Sequence, residues 1–384
     1  MRLTLVLRNV FRHKLRTLLT VVGLTVAVLA FGLLSTVVEA WYAGAEGASS
    51  ARLVVRNSIS LVFPLPLTYR QKIRQIDGVR AISTANWFGG IYKEPKNFFP
   101  QFAVDAASYL DLYPEYVLGD AERKAFLLDR KGAVVGSKLA ATYGFRVGDT
   151  VTLKGTIFPG QWEFVIRGIY SGRDAKTDVS QMLFHWDYLN ETLKARSPRR
   201  ANTVGVYVVE VADPSRVAEI SRAIDAEFRN SYAETLTETE KAFQLGFVSM
   251  TEAIVVAIRL VSYLVIFIIL AVMANTMAMT VRERTAEYAT LKALGFGPAF
   301  IMGLIYGEAL AIAALGGALG IALTFPLAER FASAMGSLFP VFVVSARTLW
   351  LQAACAFAVG FISALFPARS AARVRIVEGL RSVA

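Results

Sequence analysis

The chain has 384 residues, 55% of them hydrophobic, and its mean hydropathy is +0.46. Lys and Arg outnumber Asp and Glu by 41 to 30, a formal charge of +11, but much of this excess flanks apolar runs, where it orients membrane helices and meets anionic lipid rather than nucleic acid. One cysteine, Cys355, excludes an internal disulfide, and the two histidines, His13 and His185, have no partners spaced for a metal site.

Four apolar runs, Leu18–Val38, Ile254–Val281, Ile301–Leu323 and Leu349–Leu365, approach the ~20 residues a helix needs to cross a ~30 Å hydrocarbon core. Ahead of the first lie residues 1–17. There Leu3, Val6, Leu7, Val10, Phe11 and Leu15 fall on one side of a helix and Arg8, Arg12, His13 and Arg16 on the other, as in an interfacial amphipathic helix. The plainer alternative is a simple start to span 1. That span, 18–41, ends at the interfacial aromatics Trp41 and Tyr42 and is too long for a cleavable signal.

Residues 42–251 follow, about two hundred residues, enough to bury a core of their own. "ARLVVRNSIS", "LTYRQKIRQIDGV" and "RAISTANWF" read as strand, helix and strand. The pattern returns in "NTVGVYVVEV", in "DPSRVAEISRAIDAEF" with Asp213 at the cap, and in an extended piece at Tyr232–Leu236. Two such units predict a ferredoxin-like, porter-like module over 50–98 and 200–245, with a β-rich module over 99–198 inserted in it. "SISLVFPLPLTY" is oddly apolar for a solvated domain. Its Leu61, Val62, Phe63 and Leu65 either contact lipid, cargo or a partner, or belong to a buried strand. "GAVVGSKLA" fails as a phosphate loop, because Ser137 precedes Lys138 and Leu139 follows it. With no G-x-S-x-G or H-E-x-x-H run either, no catalytic residue is expected in this chain.

Span 2 covers 252–281 and leads into a charged, helix-prone segment, 282–298. Glu283 and Glu287 are four apart, with Leu291 and Leu294 continuing their stripe, and like charges at that spacing cost roughly a few tenths of a kcal/mol. The segment is either a solvated connector carrying Arg282, Arg284 and Lys292, or a helix on which something basic docks. Gly295 and Gly297 before Pro298 predict its stop. Span 3, 299–324, carries Glu308 about 15 Å from its start, where a carboxylate must be protonated or paired; an interhelical hydrogen bond is expected. Gly303 with Gly307, and Gly316 with Gly320, have the spacing of close helix seams. A loop over 325–346, span 4 over 347–366 and a tail over 367–384 with Arg369, Arg373, Arg375 and Arg381 follow. The basic flanks put both termini and 282–298 in the cytoplasm and 42–251 outside. The expected fold class is an α-helical membrane protein with four transmembrane helices plus an α+β extracytoplasmic domain.

"RERTAEYATLKALGFGPAFIMGLIYGEAL" resembles the cytoplasmic helix and following span of MacB- and FtsX-like ABC transporter permeases. "NVFRHKLRTLLTVVGLTVAV", "GAVVGSKLAATYGFRVGDTVTL" and "PARSAARVRIVEGLRS" resemble that family's opening helix, periplasmic domain and tail, and the likeness, which extends to Lol-type lipoprotein-releasing permeases, spans essentially the whole chain. The resemblance implies a coupling helix that meets a separate ATPase through Glu283, Arg284, Glu287, Leu291, Lys292, Ala293, Leu294 and Gly295. It implies two ATPase copies that bind the ATP and Mg, a second permease copy, identical or paralogous, and an inner-membrane location with the large domain in the periplasm. An adaptor or outer-membrane component is a further expected partner. The cargo would be hydrophobic or amphipathic: a lipoprotein, lipid, peptide or drug. An FtsX-like regulator of a periplasmic enzyme, or a membrane-anchored scaffold or receptor, is the alternative.

Overall fold

The computed structural model describes residues 9–10, 12–335, 339 and 341–374. The chain divides into a membrane unit and a second unit formed by Ala40–Thr251 with Met335–Val341. Four helices are long and apolar enough to cross a membrane: Lys14–Gly47, Glu252–Glu283, Pro298–Met335 and Ala346–Arg373, here spans 1 to 4.

Several boundaries differ from those the sequence suggested. Residues 14–17 belong to the span 1 helix, and Val10 is buried while Leu15 is exposed, so these two do not share the apolar face assigned to them. Leu3, Val6, Leu7, Arg8 and Phe11 lie outside the described residues, as do Arg375 and Arg381. The loop expected from 325 is helix to Met335, with Pro326 inside it. Membrane helices tolerate proline, and the apolar run simply continues through Phe325 and Leu327. Span 4 likewise continues through Pro367 to Arg373, into the expected tail.

Small residues bring the spans together. A Cβ on Gly316 would lie 3.0 Å from Leu24 Cβ, and one on Gly320 would lie 2.8 Å from Val28 Cβ, so this glycine pair forms the seam between spans 3 and 1. Gly360 of span 4 meets Ala313 of span 3 in the same way. Gly303 has no neighbour within 4 Å of such a Cβ among the described residues, so this glycine is not held in a seam of that kind. A polar node ties spans 1, 3 and 4: Gln352 Nε2 donates to the Val28 carbonyl at 2.9 Å and to Thr324 Oγ1 at 2.8 Å.

The second unit is α/β. Its strands are β1 (Arg52–Asn57), β2 (Leu65–Pro66), β3 (Val79–Trp87), β4 (Gly90–Tyr92), β5 (Gln101–Val104), β6 (Tyr116–Val117), β7 (Gly132–Gly136), β8 (Thr150–Gly155), β9 (Gly160–Gly172), β10 (Met182–His185), β11 (Thr203–Val204), β12 (Val206–Val211) and β13 (Thr235–Thr239). Four of them run antiparallel in the order β13-β1-β12-β3, the ferredoxin-like arrangement. Helices Tyr69–Arg74 and Val217–Glu227 bury Ile73, Ile220 and Ile224 on the face that carries Leu53, Val55, Tyr207 and Val209. The alternate residue Val208 points to the other face, packed with Tyr109, Leu110, Leu112, Tyr113 and Phe126.

The inserted segment, expected to form a small β-rich module of its own over 99–198, instead continues the same sheet. β5 pairs antiparallel with β3, with Ala85 opposite Val104, and the sheet runs on through β10, β7, β9 and β8 to β4. The physical reason is the edge of β3: unpaired N–H and C=O groups there are best satisfied by another strand. β2 and β11 form a separate pair.

Candidate functional site

Span 2 ends at Glu283, and Arg284, with φ −105° and ψ 16°, breaks the helix before a new one forms over Thr285–Ala293. The short helix stops at Gly295, whose φ of +91° suits glycine. Its N–H donates to the Lys292 carbonyl and the Phe296 N–H to that of Leu291, both at 3.0 Å, the paired bonds of a glycine-terminated helix.

The segment from Glu283 to Lys292, which takes in the end of span 2, the break and most of this short helix, is tied to every span of the membrane unit. Arg16 of span 1 donates from Nη1 and Nη2 to the two carboxylate oxygens of Glu283, at 2.7 and 2.8 Å, and Arg12 pairs with Glu287. Arg284 is buried, with Nη1 2.6 Å from Glu308 Oε1 of span 3 and Nε 2.9 Å from Glu287 Oε2. Lys292 Nζ donates to the carbonyls of Ala372 and Val374, both at 2.7 Å, where the span 4 helix ends.

The electrostatics follow from these contacts. Burial works against the Glu287 carboxylate, but hydrogen bonds from Arg284 and Arg12 outweigh it and hold the carboxyl below its ordinary range. Burial also works against the Arg284 charge, and the Glu308 carboxylate more than offsets it. Tyr288, beside the Arg284 guanidinium, is pushed up to about 12 by burial, and its hydroxyl has no hydrogen-bond partner among the described residues. Between spans 1, 2 and 3 lies a cavity of about 30 Å³ lined by Thr17, Thr20, Thr276, Thr280, Glu308 and Arg16, room for about one water.

The stripe expected to receive a basic partner is therefore already occupied. Glu283 and Glu287 are taken by arginines of this same chain, and Arg284 and Lys292 turn inward. Leu291 is half-buried against the membrane core; Ala293, Leu294 at 71% exposure and Gly295 form the free end. Glu308 is not a lone carboxylate but half of an ion pair. Arg12 and Arg16 had no assigned part here. The signal for them was their spacing of four, which matches that of Glu283 and Glu287.

In the α/β unit the apolar group divides. Leu65 is fully buried in β2, whereas Val62 is 84% exposed, Phe63 half-exposed and Leu61 above a third. Exposed Ile59 and Tyr232 lie in adjoining turns, where the Ser58 N–H donates to the Glu234 carbonyl. Among the described residues, no group of three or more His, Cys, Asp or Glu side chains is placed to hold a metal.

A profile of the MacB-like periplasmic core domain matches residues 17–227, and one of the FtsX-like permease C-terminal region matches residues 259–376. An uncharacterised ABC transporter permease of Methanocaldococcus jannaschii is 25% identical over a 403-residue alignment that covers 99% of this chain and 97% of that protein. The macrolide export ATP-binding/permease protein MacB of Shewanella oneidensis is 25% identical over 284 residues, covering 74% of this chain and 40% of that protein. Among solved structures, the periplasmic region of MacB from Actinobacillus actinomycetemcomitans aligns with a TM-score of 0.36 at 10% identity, over 53% of this chain and 94% of that one. The extracellular domain of the ABC-type transporter YknZ aligns with a TM-score of 0.35 at 12% identity, over 49% of this chain and 100% of that one.

Proposed function

This chain belongs to the MacB- and FtsX-like ABC transporter permeases, and on that premise we propose that a separate ATPase docks on the free end of the helix Thr285–Ala293 and drives all four spans through it. The observation that carries the proposal is the convergence of attachments on the segment Glu283–Lys292, which continues span 2 into the short helix: Arg16 within span 1 holds Glu283, Arg12 ahead of it holds Glu287, Glu308 in span 3 holds Arg284, and the carbonyls at the end of span 4 hold Lys292. A push on Ala293, Leu294 and Gly295 then reaches every span, because each attachment is short and two of the contacts are charge-assisted and paired at both oxygens or buried.

ATP and Mg bind in the ATPase, of which two copies serve two permease chains in the inner membrane, with both termini and the short helix cytoplasmic and the α/β unit periplasmic. Closure of the ATPase pair moves the short helices, and the spans carry that motion outward to a hydrophobic or amphipathic cargo. The exposed group Ile59, Leu61, Val62 and Phe63 is the contact for cargo or a periplasmic partner.

The test is affinity purification from native membranes with mass spectrometry of the captured proteins. A Walker-motif ATPase should accompany the wild type and be lost with Leu294→Asp, which alters only an exposed side chain. Recovery of other partners with no ATPase would favour the FtsX-like regulator or scaffold reading.

A further inference from the structure

Adjoining the small cavity, a groove of about 620 Å³ opens between spans 1 and 2, lined by His13, Lys14, Leu15, Arg16, Leu19, Thr20, Val272 and Thr276. From this geometry we infer that the groove binds one anionic phospholipid, its phosphate at Lys14, Arg16 and His13 and an acyl chain along Leu15, Leu19 and Val272. The volume falls within the roughly 300–1,000 Å³ of small-molecule sites.

The order of its lining side chains identifies the occupant. The cations sit at one end, and Leu19 lies five residues further along the same helix, about 7.5 Å, the step from a lipid phosphate to the start of its acyl chains. Leu15, Leu19 and Val272 are half-exposed or more, on helices apolar enough to cross a membrane. Thr20 and Thr276 donate their hydroxyls to the Arg16 and Val272 carbonyls of their own helices, so the walls demand no further acceptor. Charge sets the sign of the headgroup. Arg16 is shared with Glu283, but among the described residues Lys14 has no ion pair and no carboxylate lines the groove.

The site does not rest on the transport reading, and its test needs no ATPase. The purified full chain is exchanged into micelles with dioleoyl phosphatidylglycerol or dioleoyl phosphatidylcholine, and bound lipids are counted by native mass spectrometry. One phosphatidylglycerol per chain should persist where phosphatidylcholine is stripped. Lys14→Ala should weaken its retention about fivefold, the loss of one lysine–headgroup attraction, and Leu19→Trp, which fills the groove, should remove it. Arg369→Ala, an exposed cation at the far end of span 4, should change neither. Equal retention of both lipids, or equal effects of Lys14→Ala and Arg369→Ala, would overturn the assignment. So would a rise in lipid binding after removal of residues 1–8, or a change in dimer mass in place of lipid count with Leu19→Trp.

Discussion

Arg284 Nη1 and Glu308 Oε1 meet at 2.6 Å with both side chains less than a tenth exposed, joining the break after span 2 to a point ten residues into span 3. Deleting one member of such a pair leaves the other charge buried with less compensation, so Glu308→Leu should cost up to about 3–5 kcal/mol. Replacing both, Arg284→Met with Glu308→Leu, should cost far less than the two single changes summed. Thermal unfolding in detergent of the four proteins gives the cycle; additive losses would mean the two residues do not act as a pair.

The straps on Glu283 and Glu287 are a different case. Arg12 is 55% exposed and Glu287 39%, and exposed pairs contribute roughly 0–1 kcal/mol. Arg12→Ala should therefore leave the unfolding temperature almost unchanged while weakening the stimulation of the partner ATPase by this chain. Arg16→Glu should lose stimulation and regain it when Glu283→Arg restores the pair in reverse. Full stimulation in every single variant would remove the straps from the mechanism.

Acid should loosen the same contacts in a defined direction. The Glu287 carboxyl is held below its ordinary range in the folded chain, so it binds protons less readily there than when unfolded, where its pKa is about 4.3. Its stabilisation is complete above that unfolded value and is lost as pH falls through the lower folded value. The difference in unfolding temperature between wild type and Glu287→Gln should stay constant from neutral pH to about pH 5 and shrink only in stronger acid. A difference that shrinks at mildly acidic pH would point to another group.

Packing gives a sharper contrast. Gly316→Val and Gly320→Val would press on Leu24 and Val28, and overpacking of this kind costs about 1–3 kcal/mol. Gly303→Ala meets open space and should leave thermal stability unchanged. Cross-linking of two copies through Gly303→Cys, read on a gel with Cys355→Ser as background, would reveal whether that open face is covered by a second chain.

How far the sequence predicted the structure depended on the range of the interaction. Span number, the two β-α-β units and the glycine stop at Gly295 rest on contacts between near neighbours, and they were legible as apolar run length, alternation and capping. The seam at Gly316 and Gly320 was legible too, since its spacing belongs to one helix. The pairing of β5 with β3 was not, because an alternating strand does not name the edge it joins. Nor were the partners of Glu283, Glu287 and Glu308: the first two lie more than 260 residues away in the chain, and a charged helix face looks alike whether water or an arginine covers it.

That distance also imposes an order in time. Arg12 and Glu287 are separated by 275 residues, so at about 5–20 residues per second the ribosome needs on the order of tens of seconds to make the second after the first. During that interval Arg12 and Arg16 remain uncompensated cations beside a newly inserted span, which is when positive charge fixes its orientation. Once translation has delivered Glu283 and Glu287, the same guanidinium groups are neutralised and become fastenings. The same two arginines are thus free cations while the chain is being made and fastenings once it has folded.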